Sequence, residues 1–425
     1  MKYLLLLSLR SVKANKWLSF INIAVIALSV AMVVVTSGLT SVLTEIESQS
    51  FLEELPYGLS DSEIALRKKE HFGLNAIHIL GGFFTLLILI LSSFMIHGTF
   101  ATGTRKRTKL MATLMTVGAT DAQKNFVPIV ESLTLALVGI PLGITIGFPI
   151  VFIVAVRLET VLNQCNVAVD NIFVLNTLTL LKLTAISVLT VLSATLISVV
   201  KTQKRSIVTL ARTTSDIEIS LKKSPLDWIM WRVFGKAGEL AAASYVNQKR
   251  IYRPLSRTFS IAMALYVGGS VLIPYILQMG TPKPAYTEYI SEIMHTLNSV
   301  IMTVPLFAMI TAVCMFVSVF QYRKKEFAIY QSIGMDIKMI RKIIALEWVY
   351  RGFFLFLKGL IGAYVLNFAM YCFFVMADMA NYLINPFMQL LQSLLLIVIL
   401  CALMTAIMIY RLHRTKIVET LKTIN

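Results

Sequence analysis

The charged residues that fall inside otherwise apolar stretches are the ones placed to do chemistry. Glu131 and Glu347 come near the ends of long hydrophobic runs, where a carboxylate is costly unless water or a cation reaches it. Glu347 is followed four residues on by Arg351, the favourable order for an ion pair along one helix face, whereas Glu131 has no such neighbour. A structural pair or a snorkelling side chain is the first reading of both carboxylates, and a proton relay the second. Lys358 lies about three helical turns beyond Glu347. It either faces a polar cavity or reaches the interface through its long stem. Other chemistries find no support. The five histidines (His71, His78, His97, His295, His413) are scattered, without H-E-x-x-H spacing, and the four cysteines show no C-x-x-C pair, so no metal or cofactor is expected on the chain. Neither a G-x-x-x-x-G-K-[ST] phosphate loop nor a G-x-S-x-G elbow occurs. Catalysis, and any energy taken from nucleotide, must therefore belong to another subunit.

What must position these charges is a membrane. Of 425 residues, 57% are hydrophobic and 14% charged, against roughly 25% charged in soluble domains, so the bilayer has to solvate much of the surface. Apolar runs predict eight spans: Trp17 to Val42, Ile77 to Phe100, Phe126 to Val156, Leu178 to Val200, Phe259 to Leu277, Val300 to Phe320, Val349 to Met376 and Leu390 to Tyr410. The first is too long for a signal-peptide core and reads as a retained span. An even number puts both termini on one side, and Lys and Arg choose it. The N-terminal tail, the connections at 101–125, 201–257 and 321–342, and the tail after Tyr410 are basic. By contrast, Glu45 to Glu70 carries seven carboxylates against Arg67, Lys68 and Lys69. Both termini are therefore expected in the cytoplasm. The four tryptophans, Trp17, Trp228, Trp231 and Trp348, fall at the same predicted interface. This inside bias accounts for the net charge of +17 without nucleic acid. A channel is disfavoured, since no ring of like charges or filter-like glycine run is seen.

The chain also repeats itself. Arg107 to Gly143 aligns without gaps with Arg323 to Gly359, so that Arg107 meets Arg323, Gly118 meets Gly334, Glu131 meets Glu347 and Gly143 meets Gly359. Ile207-Val208 follows the fourth span much as Ile417-Val418 follows the eighth. Four spans per half is an even number, so the halves insert the same way up. The expected organisation is a first repeat at 1–212, a cytoplasmic or interfacial linker at 213–237 containing Pro225 and the amphipathic DWIMWRVF, and a second repeat at 238–425.

A basic stretch, a short apolar helix ending in Gly-Ala or Gly-Met, and then a helix with an early Glu and a later Gly form a pattern that resembles the FtsX/MacB-type permease domain of ABC transporters. LSLRSVKANK and LAAASYVNQKR resemble the interfacial helix preceding that domain's first span. The resemblance implies an all-α polytopic fold of eight transmembrane helices in two parallel four-helix FtsX-like repeats, with interfacial N-terminal helices and short cytoplasmic coupling helices. It implies ABC ATPase partners, two copies per chain, carrying ATP and Mg, docked on Leu110, Met111, Leu114, Met115, Val117 and Gly118 in one half. In the other half the surface is Glu326, Phe327, Ile329, Tyr330, Ile333 and Gly334. Glu326 has Leu110 as its counterpart, so the two surfaces differ. Family members often carry a large extracytoplasmic domain, but the longest outer loop here is about residues 44 to 76. The expected function is that of a permease subunit in a bacterial plasma membrane, exporting or removing an amphipathic peptide, antimicrobial peptides included, or a lipid-like cargo. The alternative is mechanotransmission or signalling through the acidic outer segment to a cell-wall hydrolase, another extracellular protein or a sensor kinase.

Overall fold

The computed structural model describes the backbone of residues 8, 10–53, 61–70, 72–164, 177–203, 227–279, 287–376 and 383–414. Among these residues there is no strand. The helices, in chain order, are α1 (Lys16–Glu53), α2 (Asp61–Glu70), α3 (Phe72–Thr116), α4 (Asp121–Gln164), α5 (Thr177–Gln203), α6 (Asp227–Met279), α7 (Thr287–Ser332), α8 (Ile337–Met376) and α9 (Phe387–Arg414). Seven contain a stretch long and apolar enough to cross a bilayer: Lys16–Gln49, Ile77–Phe100, Phe126–Asn163, Tyr252–Leu272, His295–Val317, Ile337–Val375 and Phe387–Leu412. α5, at 27 residues, has the length, with Thr184–Ile197 as the apolar part of its described residues. Helices are the natural answer to such runs, because hydrocarbon offers backbone N–H and C=O groups no partner outside the segment. The chain is an all-α, multi-pass membrane protein.

The short inner helices expected after the second and sixth spans are not separate elements. α3 runs on unbroken to Thr116 and α7 to Ser332. The residues between span and tip include Arg, Lys, Leu and Met in α3 and Arg, Lys, Glu and Gln in α7, all good helix formers. The first left-handed glycines come only at the tips. At 1.5 Å per residue, α3 projects about 24 Å beyond Phe100 and α7 about 22 Å beyond Val317. The interfacial helix expected before the fifth span is likewise the first part of α6, which kinks earlier, at Gly235 (φ 64°). Residues 213–226 of the expected linker lie outside the described residues, and the rest of it opens α6.

Packing repeats between the halves. α1 pairs most extensively with α4, and α6 with α8. Between halves, α3 packs on α6 and α1 on α7, contacts that exchange when first and fifth, second and sixth spans are interchanged. The most apolar windows of α1 and α6 are 78% and 72% buried, against 28% for α4 and α8. The first helix of each half is therefore central, while α4 and α8 turn exposed residues such as Leu137, Ile153, Phe353 and Val365 outward, an apolar surface of the kind a bilayer covers. The close pairs depend on small residues. A Cβ on Gly143 of α4 would stand 2.6 Å from the Ala27 carbonyl oxygen of α1, and Gly359 of α8 faces Met263 and Ser260 of α6 at the aligned position.

Candidate functional site

The basic end of the second half is organised by a buried ionic cluster. Helical spacing puts Ser244, Gln248 and Tyr252 on one stripe of α6, Arg323, Glu326 and Tyr330 on one stripe of α7, and Glu347 and Arg351 on one stripe of α8. The three stripes meet. Arg323 grips Glu347 with both terminal nitrogens, at 2.8 and 3.2 Å, and Arg351 donates Nε–H to the same carboxylate at 2.9 Å. The Ser244 hydroxyl donates to Glu347 at 3.0 Å and accepts from Arg323 at 3.1 Å. Glu347, Arg323 and Arg351 are all buried.

Aromatic faces complete the enclosure. Arg351 lies 3.8 Å from the centre of the Tyr252 ring, and Arg323 4.9 Å from that of Phe327. Glu326 accepts from Gln248 and, at 3.1 Å, from the Tyr330 hydroxyl. Burial, and then the neighbouring Glu326 carboxylate, push the Tyr330 phenol above its ordinary range, so it stays protonated and able to donate. For Arg323, burial works against the charge, but Glu347, Tyr252 and Glu326 outweigh it and hold its pKa above the usual value. Such a cluster adds little net stability, yet losing one member leaves a buried charge unpaired. It acts as a clamp: α7 is held to α6 and α8 just beyond the end of its apolar stretch.

Each extension ends in the same turn. Gly118 (φ 86°) and Gly334 (φ 89°) are left-handed, the conformation in which a residue without Cβ stops a helix at least cost. At the second tip, Met335 N–H donates to the Tyr330 carbonyl at 3.1 Å and Gly334 N–H to that of Gln331 at 3.0 Å, the paired bonds of a Schellman motif. The residue before each glycine is apolar and held out into solvent: Val117 is 82% exposed and Ile333 77%.

The residues expected at a coupling surface therefore separate. Val117, Gly118, Ile333 and Gly334 form the two tips. Phe327 does not belong to a docking face, because its ring is buried beneath Arg323 in the main core. Tyr330 is half-buried and engaged with Glu326, and Ile329 is also half-buried. The side chains of Leu110, Met111, Leu114 and Met115 lie outside the described residues. Of the membrane charges, Glu347 pairs with Arg351 as its spacing implied. Glu131 is buried on α4, and Lys358 lines a cavity between α6, α8 and α9 rather than pairing in the cluster. Sequence reasoning missed Arg323 as the second cation, together with Ser244, Gln248 and Tyr252. One signal was there to be used, since an Arg and a Glu recur at matching positions as Arg107 with Glu131 and Arg323 with Glu347.

Among the described residues no group of His, Cys, Asp or Glu is placed to hold a metal ion. A family model described as FtsX-like permease C-terminal matches residues 82–207 and 298–417, together more than half of the chain. No curated protein and no solved structure matches it.

Proposed function

The chain belongs to the FtsX-like permease family, whose members are membrane subunits working with ABC ATPases, and from that premise we propose that its two inner tips are where the ATPases dock. The observation that carries the reading is the pair Val117-Gly118 and Ile333-Gly334. At aligned positions of the two halves, a β-branched apolar side chain stands almost fully exposed at the end of a long projecting helix. A partner groove that covers each side chain gives the motor two equivalent handles, the helix-in-groove mode of recognition. One chain supplies both handles, so one copy with two ATPase protomers, which carry the ATP and Mg, completes the core. Both termini and both tips face the bacterial cytoplasm, following the Lys and Arg bias.

In this reading ATP binding and hydrolysis move the tips, and α3 and α7 carry the displacement through the bilayer. The cargo is an amphipathic peptide, antimicrobial peptides included, or a lipid-like molecule, in keeping with the apolar faces of α4 and α8. A second reading, mechanotransmission to an extracellular protein or a sensor kinase, is supported by the outer end of α1. That helix continues to Glu53, and Ser48 there accepts a hydrogen bond from Lys68 of α2. Transport of labelled peptide by vesicles containing permease and ATPase supports the first reading. No transport, with a partner lost on deleting 46–70, supports the second.

The docking proposal is tested by co-purification with the ATPase. Val117→Asp or Ile333→Asp should each weaken the complex about tenfold or more, the effect of removing a central apolar contact. The double variant should yield free permease of normal fold. Full recovery of the complex with both substitutions, or two permease chains per ATPase pair by mass, overturns it.

A further inference from the structure

A cavity of about 380 Å³ lies between α6, α8 and α9, next to the ionic cluster and sharing Arg351 and Tyr252 with it. Five cations line it, Lys249, Arg253 and Arg257 from α6 and Arg351 and Lys358 from α8, and no carboxylate does. Among the described residues only Arg351 of these has a counter-ion, Glu347. The other four make no ion pair with a carboxylate among the described residues, and Lys249, Arg253 and Arg257 lie within electrostatic range of Lys358. Lys249, Arg253 and Arg257 follow one another at i, i+4 and i+8 on a single face of α6, a spacing at which like charges repel. Gathering so many like charges along one wall is unfavourable unless an anion enters among them.

The repeat isolates the feature to one half. The positions aligned with Arg351 and Lys358 are Leu135 and Leu142, so the first half lacks the cations α8 contributes. The fold itself does not demand them.

Depth and lining identify the kind of anion. Arg253, Arg257 and Lys358 are exposed, yet all fall within residues assigned to spans, so their surroundings are headgroups and the chains below them. Arg351 and Lys358 are separated by about 10 Å along α8. Leu355, Leu400 and Cys401 add an apolar wall beside the cations. We propose that this cavity binds the phosphate of an anionic phospholipid headgroup, drawn from the leaflet on the basic side of the protein, with an acyl chain lying along the apolar wall. A basic pocket between membrane helices suits such headgroups. A soluble phosphate offers the same charge but has no use for the apolar wall. The site requires only that the chain be embedded in a bilayer, whether or not ATPases dock at the tips.

The test uses the purified full-length chain in detergent, titrated with phosphatidylglycerol, with phosphatidylcholine or with inorganic phosphate. Binding is read by native mass spectrometry and by thermal shift. The wild type should retain phosphatidylglycerol and melt several degrees higher with it than with phosphatidylcholine. R253Q/R257Q/K358L should bind it on the order of 100-fold more weakly, as expected for three interfacial cations. Lys236→Gln, an exposed cation outside the cavity, should leave binding unchanged. If the triple variant does not fold, Lys358→Leu alone should still weaken binding about fivefold. Equal protection by the two lipids, undiminished binding by the folded cavity variants, or protection by inorganic phosphate as strong as by phosphatidylglycerol would each overturn the assignment, the last in favour of a soluble phosphoryl group.

Discussion

Glu347 is the residue on which the inner end of the second half turns, because two guanidiniums, a hydroxyl and three helices converge on it. Glu347→Gln removes the charge that both arginines share while keeping the shape. Thermal unfolding in detergent should show a loss of about 3 to 5 kcal/mol, the cost of breaking a buried pair from one side. Replacing all three charges, as R323M/E347L/R351M, should recover most of that loss, since apolar side chains of similar size avoid desolvation altogether. The clamp would nevertheless be gone, so this variant should bind ATPase normally and show a weakened ATPase response. A triple variant as unstable as Glu347→Gln would mean that the cluster is needed for folding rather than for coupling. Sequence alone reached one edge of this site. The Glu347 and Arg351 pair was legible because both members lie on one helix at i, i+4 spacing. Ser244 and Tyr252 come from α6, far along the chain, and Arg323 from the preceding helix α7, so none of them shows a helical spacing to Glu347 and only packing brings them in. Arg323 in particular reads as one more positive-inside residue until α7 is placed.

At the scale of the helices, the spans were legible because apolar length is a direct requirement of the bilayer. Their continuations past the apolar stretches were not, because charged residues such as Arg323 to Glu326 favour helix as well as any surface residue and do not mark where a helix stops. The glycines show the same contrast. Gly118 and Gly334 were readable as stops, and their positive φ agrees. What Gly143 does depends on a neighbour that sequence does not name: the Ala27 carbonyl against which a Cβ would press. Gly143→Ala should therefore destabilise the chain by about 1 to 3 kcal/mol as α1 and α4 are forced apart. Gly82→Ala on α3, where nothing lies within 4 Å of the added carbon, should be neutral or stabilising by up to about 1 kcal/mol. Denaturation of the two variants in the same detergent compares them directly. Equal effects would show that the close approach of α1 and α4 relaxes at no cost.

Taken as a whole, the molecule is a twofold pattern whose halves have been made unequal. Both projecting helices end on a left-handed glycine preceded by an exposed apolar residue, two similar handles for the motor proposed to dock there. Behind the second handle Glu326 ties α7 to Gln248 of α6, and Arg323 with Arg351 ties it to α8 through Glu347. Behind the first, Leu110 stands in place of Glu326 and Leu135 in place of Arg351. Under the docking proposed above, a pull on the second tip would pass to two neighbouring helices through these charged bonds, while the first tip lacks two of those groups. Docking and transmission should therefore separate. Val117→Asp and Ile333→Asp remove similar apolar contacts and should weaken ATPase binding to a similar degree, about tenfold each. With ATPase added in excess to restore occupancy, Ile333→Asp should leave the larger deficit in cargo-dependent ATP hydrolysis, because it disturbs the end of the clamped helix. Matched deficits at saturating ATPase would show that the two halves transmit equally and that the added charges serve only local packing.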